Sequence, residues 1–167
     1  MFKEITPKEI DINTVSLFDD KWGLLTAGDT SNYNTMTISW GTLGELWSKD
    51  VCTVFVRPQR YTFGFMENND TFTVSFFSEK YKKALAFCGS KSGRDYDKAK
   101  ETGLTAFETG FGTAFEQAEL IVCCKKLYKQ DFAEEGFLDK SVLKDCYSAN
   151  DLHRFYVGEI VKVLKAD

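Results

Sequence analysis

Tyr33-Asn34-Thr35-Met36-Thr37-Ile38-Ser39-Trp40 is the stretch on which the fold turns. Residues two apart in an extended chain point to the same side. Met36, Ile38 and Trp40 therefore share one face, and Thr35, Thr37 and Ser39 share the other. The alternation predicts a strand with one face in the core and a row of short hydroxyls facing away from it, closed by Gly41 and Gly44. Just before it, Trp22 to Thr26 reads as a strand ending at Gly28-Asp29. Just after it, Val51 to Arg57 is β-branched and apolar, and Pro58 then removes a ladder donor. Further out, Thr71 to Phe77 alternates again with Phe72, Val74 and Phe76 inward, and Glu119 to Tyr128 and Arg154 to Leu164 form two long strand candidates.

The helical signals are short. Thr6-Pro7-Lys8-Glu9 places an N-cap Thr, a Pro at the first helical position and Glu three residues on, which is a capping box. A short helix is predicted over Tyr61 to Met66, followed by a turn at Asn68-Asn69-Asp70. Ser78 caps a segment in which Tyr81, Ala84, Leu85 and Cys88 recur at helical spacing, with Gly89 as its stop. Asp95 to Thr102 is polar and helix-like up to Gly103, and Asp139 to Ala149 is irregular or helical. Five or six strands with few helices predict a mainly β fold, an antiparallel barrel rather than a βαβ sheet. The 167 residues, 43% hydrophobic with 15 Phe, suit one domain spanning 1–167, and no Ser/Gly-rich linker interrupts them.

Several function classes fall away. A net charge of −4 disfavours a nucleic-acid binder, whose affinity rests on clustered Lys and Arg. No apolar run is long enough to span a bilayer, and Met1-Phe2-Lys3-Glu4 opens into polar sequence, so a cytoplasmic protein is expected. Gly110-Phe111-Gly112-Thr113-Ala114-Phe115 has Phe where a dinucleotide fingerprint needs its third Gly. Gly89-Ser90-Lys91-Ser92-Gly93 has Lys91 where a nucleophile elbow needs Ser. His153 is the one histidine, so a multi-histidine metal site is excluded and no metal is expected. Cys52, Cys88, Cys123, Cys124 and Cys146 are odd in number and contain no CxxC, which fits free thiols, with a redox pair as the alternative. On a strand, Cys123 and Cys124 would point to opposite faces.

What remains is the hydroxyl row together with two cationic loops. Arg57-Pro58-Gln59-Arg60-Tyr61-Thr62 follows one strand, and Ser90-Lys91-Ser92-Gly93-Arg94 follows the Gly89 stop. A phosphate dianion in an acidic protein needs local positive charge with hydroxyl and backbone donors, and these loops supply both. Arg57 or Arg60 offers fork-like bonds, and Thr62 offers a hydroxyl near a helix N-terminus. The residues alone are equally compatible with solvated surface on a β-barrel.

At these residues the chain resembles a known family. Tyr33 to Gly41, Val56 to Thr62, Phe72 to Phe77, Ser92-Gly93-Arg94-Asp95 and Phe155 to Ile160 are similar, in the same order, to the flavin-reductase-like, FMN-binding split-barrel proteins, most of all the flavoredoxin branch. The similarity runs from about Trp22 to Ile160. It implies a six-stranded Greek-key split barrel that forms a homodimer, with FMN near the subunit interface. The segment Asn34, Thr35, Met36, Thr37, Ser39 and Trp40 would lie along the flavin ring and ribityl chain, with the hydroxyls at its polar edge. Arg57, Tyr61 and Thr62 would anchor the phosphate, and Lys91, Ser92 and Gly93 would approach the cofactor. Arg94 and His153 would lie nearby, and Trp40 or Trp47 would stack near the ring or belong to the core or interface. The resemblance implies electron transfer from NAD(P)H or a redox protein through FMN. A flavin carrier without a nicotinamide site, and a β-barrel that binds no flavin, stand as the alternatives.

Overall fold

A computed structural model describes residues 1–167. The strands are β1 (Phe2–Ile5), β2 (Gly23–Asp29), β3 (Asn32–Ile38), β4 (Gly41–Leu46), β5 (Lys49–Val56), β6 (Thr71–Phe76), β7 (Ala106–Glu108), β8 (Thr113–Phe115), β9 (Leu120–Asp131) and β10 (Arg154–Ala166). The helices are α1 (Thr14–Ser16), α2 (Tyr61–Asn68), α3 (Lys82–Ser90), α4 (Lys98–Thr102) and α5 (Lys140–Cys146). The main sheet is antiparallel and runs β3-β2-β6-β9-β10-β5-β4. The long strand β10 pairs with β5 through its first half and with β1 through its last four residues. Since β3 and β4 end the path without pairing to each other, the barrel is open along one seam.

Strand parity builds two apolar clusters. Leu25, Met36, Val54, Phe72, Val122 and Tyr156, from β2, β3, β5, β6, β9 and β10, all turn into one interior. The opposite face of the same sheet is also covered. Leu24, Ile121 and Cys123 pack outward against Leu85 and Cys88 of α3, Ala99 of α4 and Phe115 of β8. Cys123 and Cys124 accordingly fall in different clusters, as alternation along a strand requires. All five thiols are unbridged, four of them buried.

The mainly β antiparallel fold expected from the sequence is present, with four corrections. The main sheet has eight strands rather than six, and β7 and β8 form a separate hairpin. Gly41 does not stop the chain but opens β4. A Cβ there would fall 2.2 Å from Cε1 of Phe18, so the glycine seats that ring against the sheet. Gly89 does not end its helix either. It lies inside α3, where a Cβ would stand 3.2 Å from Cβ of Thr37, and the helix closes only at Ser90. Trp40 does not share the core face with Met36 and Ile38, because β3 ends at Ile38 and Trp40 is 45% exposed. Other local signals hold. The Glu9 carboxylate accepts from the Thr6 backbone N–H at 2.7 Å, and Gly103 terminates α4 in the left-handed region.

Gly158 on β10 makes a close approach in the interior. A Cβ there would meet Cε1 and Cζ of Phe72 at 2.7 Å and Cβ of Cys124 at 2.8 Å. Gly158→Ala is therefore expected to lower stability by about 1–3 kcal/mol through overpacking. Urea denaturation checks this, and an unchanged midpoint would show that the barrel absorbs the methyl.

Candidate functional site

The edge strand β3 has a free side, since it pairs only with β2. Along that side run two cavities that share Met36 and Arg60. The first, about 220 Å³, is bordered by Met36 to Trp40, Phe55, Arg57 and His153. The second, about 180 Å³, lies between the start of α2 and the loop after α3.

The second cavity is cationic. Arg60, Lys91, Arg94 and Lys98 border it, and no carboxylate does. None of the four takes part in an ion pair. Thr62, 1% exposed, accepts from Asn34 Nδ2 at 2.7 Å, which leaves its hydroxyl proton for another acceptor. Because the first backbone N–H groups of a helix have no intrahelical partner, the start of α2 adds further donors. Arg94 stacks on the Tyr61 ring at 4.8 Å, Lys91 lies over Tyr96 at 5.6 Å, and Arg60 donates to the Gly89 carbonyl at 2.6 Å. Gly93 presses on the floor, where a Cβ would fall 1.9 Å from Oδ1 of Asn34.

Lys98 is the residue that sequence reading missed. Only 6% exposed, it donates to the carbonyls of Thr35 at 2.8 Å and Cys88 at 2.7 Å. Burial, with a contribution from the like charge of Arg60, lowers its pKa to about 8. Its third N–H remains available. The sequence carried no signal for it, since a lysine at the first position of a polar helix is ordinarily solvated.

The expected anchors are divided. Tyr61 and Thr62 border the cationic cavity, whereas Arg57 borders the other. The Arg57 guanidinium is ion-paired with Asp151, donates to the Cys146 carbonyl at 2.9 Å and stacks on Tyr147 at 5.2 Å. The hydroxyl row is also corrected, because it does not form an open face. The Thr35 hydroxyl is buried and donates to the Leu25 carbonyl, with Thr26 as its other partner. That of Thr37 donates to the Leu85 carbonyl at 2.5 Å. The layer formed by α3 and α4 covers this side of the sheet, so the hydroxyls serve internal bonding. Ser39 and Trp40 lie beyond the strand at the cavity rim, and Ser92 accepts from the Arg94 N–H at 3.2 Å in the loop below.

His153 is buried, its ring 5.2 Å from that of Trp40 and its Nδ1 2.8 Å from Tyr147 Oη. Burial first, then the nearby Arg57 charge, pushes its pKa down to about 4, so the ring is neutral at pH 7. The neutral ring and the Tyr147 hydroxyl share one hydrogen bond through Nδ1.

A family model described as the flavin reductase like domain matches residues 16–166. The chain belongs to the flavin reductase-like family. Solved structures agree on the fold of this flavin reductase-like chain. A flavoredoxin from Methanosarcina acetivorans is 21% identical with a TM-score of 0.71, covering 95% of this chain and 76% of its own. An FMN-binding protein from Thermus thermophilus, solved with p-hydroxybenzaldehyde, is 22% identical with a TM-score of 0.67, covering 86% and 70%. A Streptomyces globisporus NADH:FAD oxidoreductase, solved with NAD and FAD fragments, is 16% identical with a TM-score of 0.64, covering 87% and 74%. No curated protein matches the sequence. No helix is long and apolar enough to cross a membrane.

The low pKa of His153 has a defined effect on stability. An unfolded histidine protonates near pH 6.5, so as pH falls below that value the unfolded chain gains protons that the folded one refuses. Stability is expected to fall by roughly 3 kcal/mol between pH 6.5 and 4 from this residue alone. Urea midpoints of the wild type and His153→Gln across that range measure it, and parallel pH profiles would show that the imidazole titrates normally.

Proposed function

We propose that this chain binds FMN non-covalently in the groove beside β3 and passes electrons through it. The observation that carries the reading is the pairing of two joined cavities. One is rimmed by aromatic and polar groups and the ion-paired Arg57, and the other by four unpaired cations, of which Arg60 borders both. A ligand with a flat ring at one end and a phosphate at the other matches that division. The residues present fit the group, since Lys98 keeps an unused N–H and three further unpaired cations border the same cavity. The relatives' descriptions as FMN-binding protein and flavoredoxin support the same ligand.

In this reading Lys98, Arg60 and Thr62 hold the phosphate, with Lys91, Ser92, Arg94 and Tyr61 around it. The outer backbone groups of β3, together with Met36, Ser39 and Trp40, lie along the ring, and Arg57 and neutral His153 border its far end. When bound, the flavin supplies hydride and single-electron chemistry. The chain's own residues orient the ring, shield it and place donors at its polar edge. No side-chain acid or base is needed beyond that. The donor is NAD(P)H, as the description of the Streptomyces relative supports, or a redox protein. The setting is the cytoplasm.

Protein as isolated, or after addition of FMN, is expected to show the two-band spectrum of oxidised flavin, and anaerobic NADH or NADPH to bleach it. Bleaching supports a reductase, and persistence of colour supports a carrier reduced by a protein. A chain that takes up no FMN contradicts both. Lys98→Met and Thr62→Ala are each expected to weaken FMN binding by about 1.5–3 kcal/mol, the scale of a charge-assisted hydrogen bond. Since Lys98 loses its proton near pH 8, wild-type affinity is expected to fall as pH rises beyond that, and Lys98→Met to lose this dependence.

A homodimer belongs to the same proposal. Leu46, Trp47, Leu127 and Tyr128 are exposed together at one end of the sheet, with the Trp47 and Tyr128 rings 6.2 Å apart. Such a cluster suits a second copy of the chain. Light scattering at micromolar concentration is expected to give twice the 19.0 kDa chain mass, and a monomer would remove the partner from the site.

A further inference from the structure

Between β9 and β10 the chain leaves the sheet for residues 132–153. The root of this excursion is fastened. The Phe132 N–H donates to the His153 carbonyl at 2.9 Å, and the Phe132 ring lies 5.7 Å from those of Phe55 and Phe155. The far half has little core of its own. α5 contributes no buried residue, Leu138 is 98% exposed, and within the excursion Tyr147 and His153 alone are buried. A segment with so few buried contacts opens at low cost unless something outside it holds it.

Arg57, just past the end of β5, supplies that hold. Its Nη1 pairs with the Asp151 carboxylate, its Nη2 donates to the Cys146 carbonyl at 2.9 Å, and its Cζ lies 5.2 Å from the centre of the Tyr147 ring. Gln59 adds a bond to Asp151 at 2.6 Å. These contacts grip the excursion on both sides of Asn150, where the backbone turns through the left-handed region. A planar guanidinium forks to two acceptors while its face stacks on a ring, a geometry that an ammonium does not reproduce. Tyr147 passes the constraint on. Its Oη lies 2.8 Å from Nδ1 of His153, whose ring borders the first cavity beside Trp40. A phosphate approaching Arg57 would meet the Asp151 carboxylate and find both terminal nitrogens engaged.

We propose that Arg57 is a positioning residue that latches the 132–153 excursion to the barrel and so fixes Tyr147 and His153 at the ring end of the groove, rather than a group that binds the phosphate. The ligand named at that end rests on the flavin reading above; the latch does not.

His153 is the one histidine, so a single imidazole signal in proton NMR follows its titration in the full chain. The charged and titratable groups facing it are Arg57, Asp151 and Tyr147, with Arg60 on the same cavity. Asp151→Asn separates charge from latch. Loss of the carboxylate would by electrostatics alone push the midpoint below about 4, whereas release of the excursion exposes the ring and raises the midpoint toward 6.5. A rise of at least about one pH unit is expected. Arg57→Lys, which keeps the charge but loses the fork, is expected to act the same way. A midpoint that fails to rise in either folded variant overturns the proposal. So does a wild-type midpoint near 6.5, whether or not the variants fold. In fluorescence titrations Arg57→Lys is expected to weaken FMN and riboflavin by the same factor, about threefold or more. Weakened FMN with riboflavin unchanged would return Arg57 to the phosphate and overturn the latch. A wild type that binds neither flavin would bring down the flavin reading and leave the histidine titration to decide the latch.

Discussion

The ammonium group of Lys98 joins the two layers of this protein. It reaches from α4 to the Thr35 carbonyl on the free edge of β3 and to the Cys88 carbonyl on α3. Two neutral carbonyls are a modest return for removing a cation from water, a transfer whose effective penalty is several kcal/mol. The lowered pKa expresses that imbalance. No carboxylate borders the cationic cavity beside it, and the Asp97 carboxylate lines only a further cavity on which Lys98 also opens. A buried lysine with one spare donor, bordered by other unpaired cations, suits the phosphate proposed above. The floor of the groove and the attachment of the helical layer thus depend on the same side chain.

That attachment works because both faces of the central strands are buried. Thr73 and Ser75 on β6 are as inaccessible as Phe72, Val74 and Phe76. The outer face is covered by α3, α4 and the β7–β8 hairpin, which leaves the edge of β3 as the place where the sheet meets a cleft. Groups along an unpaired strand edge need partners. Here Lys98 satisfies one of them, and the cavities lie along the same side.

Much of this was legible from local pattern. The alternation in β3, the apolar runs of β5 and β6, the long β9 and β10 and the Gly103 stop follow from periodicity and backbone sterics, which act over a few residues. What escaped depends on neighbours distant in sequence. Gly41 and Gly89 look like chain breakers, yet they are seats for Phe18 and Thr37, which arrive from other elements. The threonines of β3 look like a solvated face because a sequence does not announce that α3 will cover them. Arg57 and Arg60 are chemically alike and three residues apart. Only the position of Asp151, far along the chain, decides which of them is neutralised. Lys98 is the strongest case, because its burial is made by packing of α4 against β3 and α3.

The Arg57–Asp151 pair also gives the groove its polarity. With Arg57 neutralised and His153 held uncharged beside it, the cavity next to Trp40 keeps only the charge of Arg60, which it shares with the cationic cavity. At the other end the positive charges of Arg60, Lys91, Arg94 and Lys98 stand without counter-charge. An overall acidic protein thereby confines a strong positive field to one end of one cleft. The gradient does what shape alone does not. For the singly phosphorylated ligand proposed above, it would favour entry of the phosphate at that end and leave the uncharged end beside the aromatic rim. Had Asp151 been absent, Arg57 would offer a second anion site a short way along the same groove, and a phosphate could settle at either end.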